Sequence, residues 1–194
     1  MASPQPQTSK RFSYADYLRW PEGERWELID GESFAMSPAP TRRHQAISRE
    51  LERQIANHLV GRGCEVYDAP FDVRLPDSAT AVDEGTWTVV QPDIAVICDK
   101  SRLDERGCRG APDWMVEILS PESAQRDLRE KLALYERHGV REYWVVDSSQ
   151  QVVLVFRLGQ GSGYGKPIVF GPRDKAASVV LPELAIDLEA VFAA

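Results

Sequence analysis

Two carboxylates and one ammonium stand in this sequence where a packed fold has no ordinary use for them. Asp93 lies inside the run Val89-Val90-Gln91-Pro92-Asp93-Ile94-Ala95-Val96-Ile97, and Glu117 inside Trp114-Met115-Val116-Glu117-Ile118-Leu119. An ionised carboxylate in an apolar strand is costly unless it is paired, hydrogen-bonded or bound to a metal. Two of them on neighbouring strands repel, and one pKa rises unless a cation lies between them. Hard oxygen donors of this kind suit Mg²⁺ or Mn²⁺. The bland alternative is that each acid points outward from an exposed sheet face, which explains one such residue better than two.

The third group is Lys131. Leu128, Lys131, Leu132 and Tyr135 fall at the i, i+3, i+4, i+7 spacing of a buried helical stripe. At 100° per residue Lys131 lies about 60° from Leu128 and about 40° from Tyr135. The other lysines, Lys10, Lys100, Lys166 and Lys175, fall in loops or the tail. An inward ammonium needs an anion, and the two strand acids offer one. Snorkelling of the lysine stem, or a plain i,i+4 pair with Asp127, is the alternative.

The elements that must position these groups follow from the patterning. Ser13 and Asp16 signal a short helix from Tyr14 to Trp20, closed by Pro21. Trp26–Ile29 and Ser33–Met36 flank Asp30-Gly31, a type I′ hairpin signal. After the break Ser37-Pro38-Ala39-Pro40, Thr41 caps a helix whose stripe runs through His44, Ile47, Leu51, Ile55 and Leu59 to Gly61. Strands are predicted over Cys64–Phe71, Trp87–Ile97 (disturbed at Gln91-Pro92-Asp93) and Trp114–Leu119. A mobile, charged segment spans Asp99–Gly110. A second long helix runs from Ser123 to His138 with Gly139 closing it, followed by strands Glu142–Val146 and Gln151–Leu158. Ser178–Leu181 reads as a last strand before a short terminal helix. The order helix, three strands, helix, strand is an α/β (α+β) arrangement around one mixed sheet flanked by helices, with an N-terminal helix and hairpin.

Composition bounds the function. The 194 residues are 43% apolar, enough for a core without metal or disulfide support. One domain over residues 11–194 behind a disordered tail at 1–10 is expected, and the tail has no apolar stretch of a secretory signal. The apolar runs are too short for a membrane helix, so a cytoplasmic, membrane-free location is expected. Cys64, Cys98 and Cys108 fit neither a disulfide framework nor a metal knuckle and read as small buried hydrophobes. A net charge of −7 argues mildly against a phosphate-binding partner, although a local basic face or a bound metal can reverse the sign where it matters. Ser120 and Ser123 lack the elbow and histidine pattern of a serine hydrolase.

Taken in series, the motifs resemble a known family. Trp26-Glu27-Leu28-Ile29-Asp30-Gly31-Glu32, His44, Gln91-Pro92-Asp93, Val116-Glu117-Ile118-Leu119-Ser120-Pro121, Lys131-Leu132-Ala133-Leu134-Tyr135 and Gly139 to Asp147 are similar to the Uma2-type restriction-endonuclease-like family of the PD-(D/E)XK nuclease superfamily. The resemblance spans roughly residues 12 to 158. It implies a restriction-endonuclease-like core and a DNA endonuclease that uses Mg²⁺ or Mn²⁺. In that reading Asp93, Glu117 and the Ile118 carbonyl hold the metal, and Lys131 orients water or stabilises the transition state. Glu27 is a further ligand or supporting acid, although an exposed strand position explains it equally, and His44 and Gln91 are supporting groups. One departure matters: the superfamily's lysine stands two residues after the acid, and here that residue is Leu119. Lys131 must supply the ammonium from the next helix instead. Arg42, Arg43, Arg126, Arg129 and Arg137 are candidate phosphate contacts.

Two other readings stay open. A module of the same fold that binds nucleic acid or protein without turnover suits the acidic charge and Leu119. A metal-dependent hydrolase of small phosphate esters suits the low pI of about 5.1. Tyr143, Trp144 and the hairpin at Val152–Phe156 offer surface for a symmetric homodimer.

Overall fold

The computed structural model describes residues 10–21, 23–36, 39–78, 80–121, 123–159, 161 and 163–193. The strands are β1 (Trp26–Ile29), β2 (Glu32–Ala35), β3 (Glu65–Asp68), β4 (Val73–Arg74), β5 (Val89–Val90), β6 (Ile94–Ile97) and β7 (Leu103–Asp104). Then come β8 (Gly107–Arg109), β9 (Trp114–Ile118), β10 (Glu142–Asp147), β11 (Val152–Arg157), β12 (Ile168–Phe170), β13 (Lys175–Ala177) and β14 (Ala185–Asp187). The helices are α1 (Tyr14–Tyr17), α2 (Arg42–Leu59), α3 (Ala124–Arg126), α4 (Leu132–His138) and α5 (Leu188–Ala193). Among the described residues the strands make a main sheet in the order β12-β11-β10-β9-β6-β3, a smaller one in the order β2-β1-β5-β4-β8-β7, and the ribbon β13-β14.

The main sheet is mixed: β10 runs parallel to β9 and antiparallel to β11, and β6 pairs antiparallel with both β9 and β3. The expected core order is present as α2, then β3, β6 and β9, then α3–α4, then β10. α2 is capped by the Thr41 side chain and buries Ala46, Ile47, Leu51, Ile55 and Leu59. That stripe and α5 cover the face carrying Trp114, Val116, Trp144 and Val146. The opposite face, with Ala95, Met115, Tyr143 and Val145, packs on Leu134 and Tyr135 of α4 and on Val73 and Val90 of the smaller sheet. Two-residue periodicity therefore sends every second residue of β9 toward α4 and β1.

Local signals account for the entry to this core. Ser13 and Asp16 form a capping box on α1, which ends at Tyr17 rather than Trp20. Asp30 and Gly31 take φ of 52° and 85°, the left-handed pair that a type I′ hairpin requires. The predicted strand Trp87–Ile97 is two strands in two sheets, with Gln91-Pro92-Asp93 as the joint. Pro92 has no N–H for a ladder, and the chain changes sheets there.

Several expectations are corrected. Asp99–Gly110 is not a loose loop: it holds the 3₁₀ turn Lys100–Arg102 and the β7–β8 hairpin. Buried Arg74 fixes it, donating to the Cys108 carbonyl at 3.3 Å and pairing with Asp104 at 2.6 Å. Ser178–Leu181 is no strand; β13 and β14 flank it, and Ser178 bonds Glu142 instead of a neighbouring strand. The helix from Ser123 to His138 is interrupted by a π turn over Asp127–Lys131. Cys64 and Cys98 are joined as a disulfide. The β3–β6 register, which pairs Glu65 with Ile97, brings the two flanking cysteines opposite each other, something their spacing of 34 cannot reveal. Cys108 is the small buried hydrophobe expected, its thiol pushed up to about 12 by burial. Tyr143 and Trp144 are fully buried, which withdraws them as surface for self-association. Residues 1–9 of the expected tail, and Ser37 and Pro38 of the expected break, lie outside the described residues. No described helix is long and apolar enough to cross a membrane.

Candidate functional site

Glu27 stands on β1, Glu117 on β9, and Lys131 closes the π turn, so three distant stretches of chain must converge. They do. The Lys131 Nζ lies 2.8 Å from Glu117 Oε1, 2.9 Å from Glu27 Oε1 and 3.5 Å from Asp127 Oδ1. Glu117 and Lys131 are 4% and 3% exposed, Glu27 and Asp127 2% each. Snorkelling is thereby excluded, because the amine and not only its stem is interior. The i,i+4 pair with Asp127 exists, as one of three carboxylates around the same ammonium. Glu27 is not on an exposed strand face.

Two further donors complete the group. The Tyr135 hydroxyl donates to Glu117 Oε1 at 2.8 Å, and the Gln91 backbone N–H donates to Glu27 Oε1 at 3.0 Å. Gln91 thus supports the acid through its main chain. Its side chain faces another network, accepting from Arg25 at 2.8 Å and donating to Asp72 at 2.8 Å and to the Tyr17 hydroxyl at 3.2 Å.

Asp93 makes a separate contact set. The β6–β9 ladder pairs Ile94 with Val116, and continuing it by one residue sets Asp93 against Glu117. Asp93 Oδ2 accepts the Ile118 N–H at 2.7 Å, and Oδ1 lies 3.0 Å from His44 Nε2. Among the described residues no ion pair joins Asp93 to Lys131. His44, near the start of α2, therefore holds Asp93, and Ile118 meets it through its amide. The side chains of His44 and Asp93 are 16% and 19% exposed, so this end of the site faces water while the lysine end is dry.

The electrostatics follow from crowding. Burial pushes the Glu117 carboxyl well above the usual range; the Lys131 ammonium opposes this, and the charges of Asp127, Asp93 and Glu27 reinforce it. Burial also raises Asp127, again opposed by Lys131. Burial works against the Lys131 charge, but Glu117, Glu27 and Asp127 outweigh it and hold the amine well above its ordinary value.

Four acids thus stand near one buried ammonium, and like charges set opposite each other across a ladder are destabilising. Among the described residues no group of three His, Cys, Asp or Glu side chains is set to hold a metal ion. Mg²⁺ does not require one: it is commonly bound through one or two carboxylates with several waters retained. The excess negative charge, the all-oxygen donor set and the partly open Asp93 end fit such an ion, and Asp93 and Glu117 are the residues that could hold it.

The remaining candidates divide. Leu119 is partly buried and packs against the core cluster that includes Leu134 and Tyr135 of α4, so the ammonium does come from the helix and not from the strand. Arg137 is taken by Asp30 at 2.6 Å, Arg43 donates to the Ser148 carbonyl at 3.0 Å, and the Arg126 guanidinium lies over the Phe34 ring at 4.4 Å. Arg42 and Arg129 are exposed. Ser120 and Ser123 bond each other at 3.1 Å, as turn residues do. Sequence reasoning passed over Tyr135, which read as apolar stripe, and the roles of Arg25 and Asp72, for which spacing gives no signal. Asp127 was visible only as a neighbour of Lys131.

Comparison with known proteins agrees with this architecture. The model of the family Uma2, described as "Putative restriction endonuclease", matches residues 14–189. An uncharacterized protein of Synechocystis, slr1290, is 28% identical over 144 residues, covering 73% of this chain and 71% of that one. A solved structure titled as a putative nuclease belonging to DUF820, from Anabaena variabilis, superposes with a TM-score of 0.73 at 24% identity, over 94% of this chain and 98% of the other.

Proposed function

The chain belongs to the Uma2 family, and from that premise we propose that it is a metal-dependent endonuclease hydrolysing phosphodiester bonds in DNA. The observation that carries this reading is the buried Lys131 amine held on Glu117 and Glu27, with Asp93 beside Glu117 at the water-facing end. Asp93 and Glu117, with the Ile118 carbonyl, would hold Mg²⁺ or Mn²⁺. When bound, such an ion lowers the pKa of water and neutralises charge on the scissile phosphate.

The chain's own residues divide the remaining work. Lys131 keeps its proton at Nζ and sets a fixed positive charge behind Glu117, from where its field would act on the attacking water or the phosphate oxygens. Glu27 and Tyr135 fix the lysine and the carboxylate it faces. His44 fixes the orientation of Asp93 from α2.

Supercoiled plasmid incubated with Mg²⁺ or Mn²⁺ tests this reading. Wild-type protein should nick or linearise it, and EDTA or Asp93→Asn should abolish cleavage while circular dichroism stays unchanged. Undiminished cleavage by Asp93→Asn refutes the assignment. One observation favours a second reading, a binding module without turnover: Asp93 and Glu117 already have partners in the chain, and among the described residues no three-ligand group stands ready. Titration calorimetry separates the two, since a silent module takes up no Mn²⁺ at neutral pH.

A further inference from the structure

Asp127 is a carboxylate with no ordinary reason to be where it is. It is 2% exposed, its Oδ1 has no hydrogen-bond donor among the described residues, and its nearest cation is the Lys131 Nζ at 3.5 Å, with the Ser123 side chain as a further polar neighbour. An i,i+4 pair at a helix surface contributes little, whereas a charge taken out of water is costly unless it is well paired.

The backbone points the same way. Asp127 and Lys131 are the two ends of the π turn, a rare geometry that occurs mostly as single turns inside α-helices and frequently at functional sites. The altered register requires its own support, and the Tyr143 hydroxyl from β10 donates to the Asp127 carbonyl at 3.1 Å. Tyr143 packs edge-on against Tyr135, with ring centroids 4.9 Å apart, and Tyr135 in turn bonds Glu117. One turn thus brings the acid and the lysine together, and two tyrosines packed edge to face hold that turn against the two central strands.

We propose that Asp127 is a positioning residue of the active site, which with the π turn holds the Lys131 amine between Glu117 and Glu27. Glu117 and Glu27 approach the amine from two strands, and Asp127 is the anion that arrives on the lysine's own helix. It acts through Lys131 and touches no substrate. The assignment rests on the nuclease reading for its catalytic consequence, but the placement of the amine does not.

A double-mutant cycle between Asp127→Asn and Lys131→Met, read in both unfolding and cleavage, tests it. Asp127→Asn should lower kcat on plasmid by roughly 10- to 100-fold, the usual loss when a supporting partner is removed, with KM for DNA within about twofold. The same change should cause no further loss in a Lys131→Met background. In urea, Asp127→Asn should lower the unfolding midpoint of wild-type protein and raise that of Lys131→Met, where the acid faces only other acids. Equal midpoint shifts in both backgrounds overturn the proposal. Should Lys131→Met fail to fold, a crystal structure of Asp127→Asn decides: the amine displaced from Glu117 or Glu27 supports the proposal, and an unmoved amine overturns it. Wild-type protein that cleaves nothing, yet shows the reversal of sign in urea, defeats the nuclease reading and leaves the positioning role standing.

Discussion

Two buried glutamates on neighbouring strands make an instructive pair. Glu142 on β10 and Glu117 on β9 are 0% and 4% exposed, and they project from opposite faces of the same sheet. Glu142 is surrounded by donors. Trp144 Nε1 reaches its Oε1 at 2.8 Å, and Ser178 Oγ and the Val179 and Val180 amides reach its Oε2 at 2.8, 2.8 and 3.2 Å. Arg157 approaches at 3.7 Å. Glu117 has one hydroxyl, one ammonium and three acids for neighbours. A buried acid whose oxygens are saturated with donors is an anchor, here tying the irregular segment after β13 to the sheet. A buried acid crowded by its own kind is held there by the rest of the fold, and it is the one with capacity left for an added cation. Burial alone does not separate the two; the company does.

Exchanging the charges should break the comparison in opposite ways. Glu117→Gln should abolish metal-dependent cleavage while leaving the urea midpoint unchanged or higher. Glu142→Ala should cost about 3–5 kcal/mol of stability, the usual penalty for breaking a buried charged network, and leave turnover per folded molecule intact. Matching behaviour of the two variants in either assay would mean the distinction is false. A smaller effect sharpens the internal division of the site: His44→Ala, removing the partner of Asp93, should lower cleavage by roughly 10- to 100-fold and raise the Mg²⁺ concentration needed for half-maximal rate. Unchanged Mg²⁺ dependence would remove His44 from the site.

The smallest effect is a pH dependence in metal-free buffer. Glu117 has a folded pKa above its ordinary value of 4.5, so its contribution to stability is fully present below that value. It is lost as pH rises through the folded pKa. Glu117→Gln should therefore gain on wild-type protein as pH rises above about 4.5, by at most about 1.4 kcal/mol per pH unit, in urea titrations at successive pH values. A gap that stays constant with pH would show that Glu117 titrates in the folded protein as it does unfolded.

Much of this was legible in the chain because the signals were local and strong. The Asp30-Gly31 hairpin, the Thr41 cap, the α2 stripe and the charges inside apolar runs each depend on a few adjacent residues, and the meeting of Lys131 with Glu117 follows from helix and strand periodicity. What escaped depends on partners remote in sequence. Glu142 looked like an ordinary strand terminus because its donors arrive from the segment Ser178–Val180, and Arg74 gave no warning that it would fix the β7–β8 hairpin. Glu27 could be inward or outward until β1 was seen to face α4. The Cys64–Cys98 pairing follows from a strand register that spacing does not encode. The π turn escaped because nothing in the spacing of Leu128, Lys131, Leu132 and Tyr135 marks a change from i→i+4 to i→i+5 hydrogen bonding.

The account rests on a divalent ion entering between Asp93 and Glu117, and a crystal soaked in Mn²⁺ measures that directly through anomalous scattering. The prediction is a single strong peak within coordination distance of both carboxylates, absent from Glu117→Gln crystals treated identically. No peak there at millimolar Mn²⁺, or an ordered ion held by other residues, would contradict it.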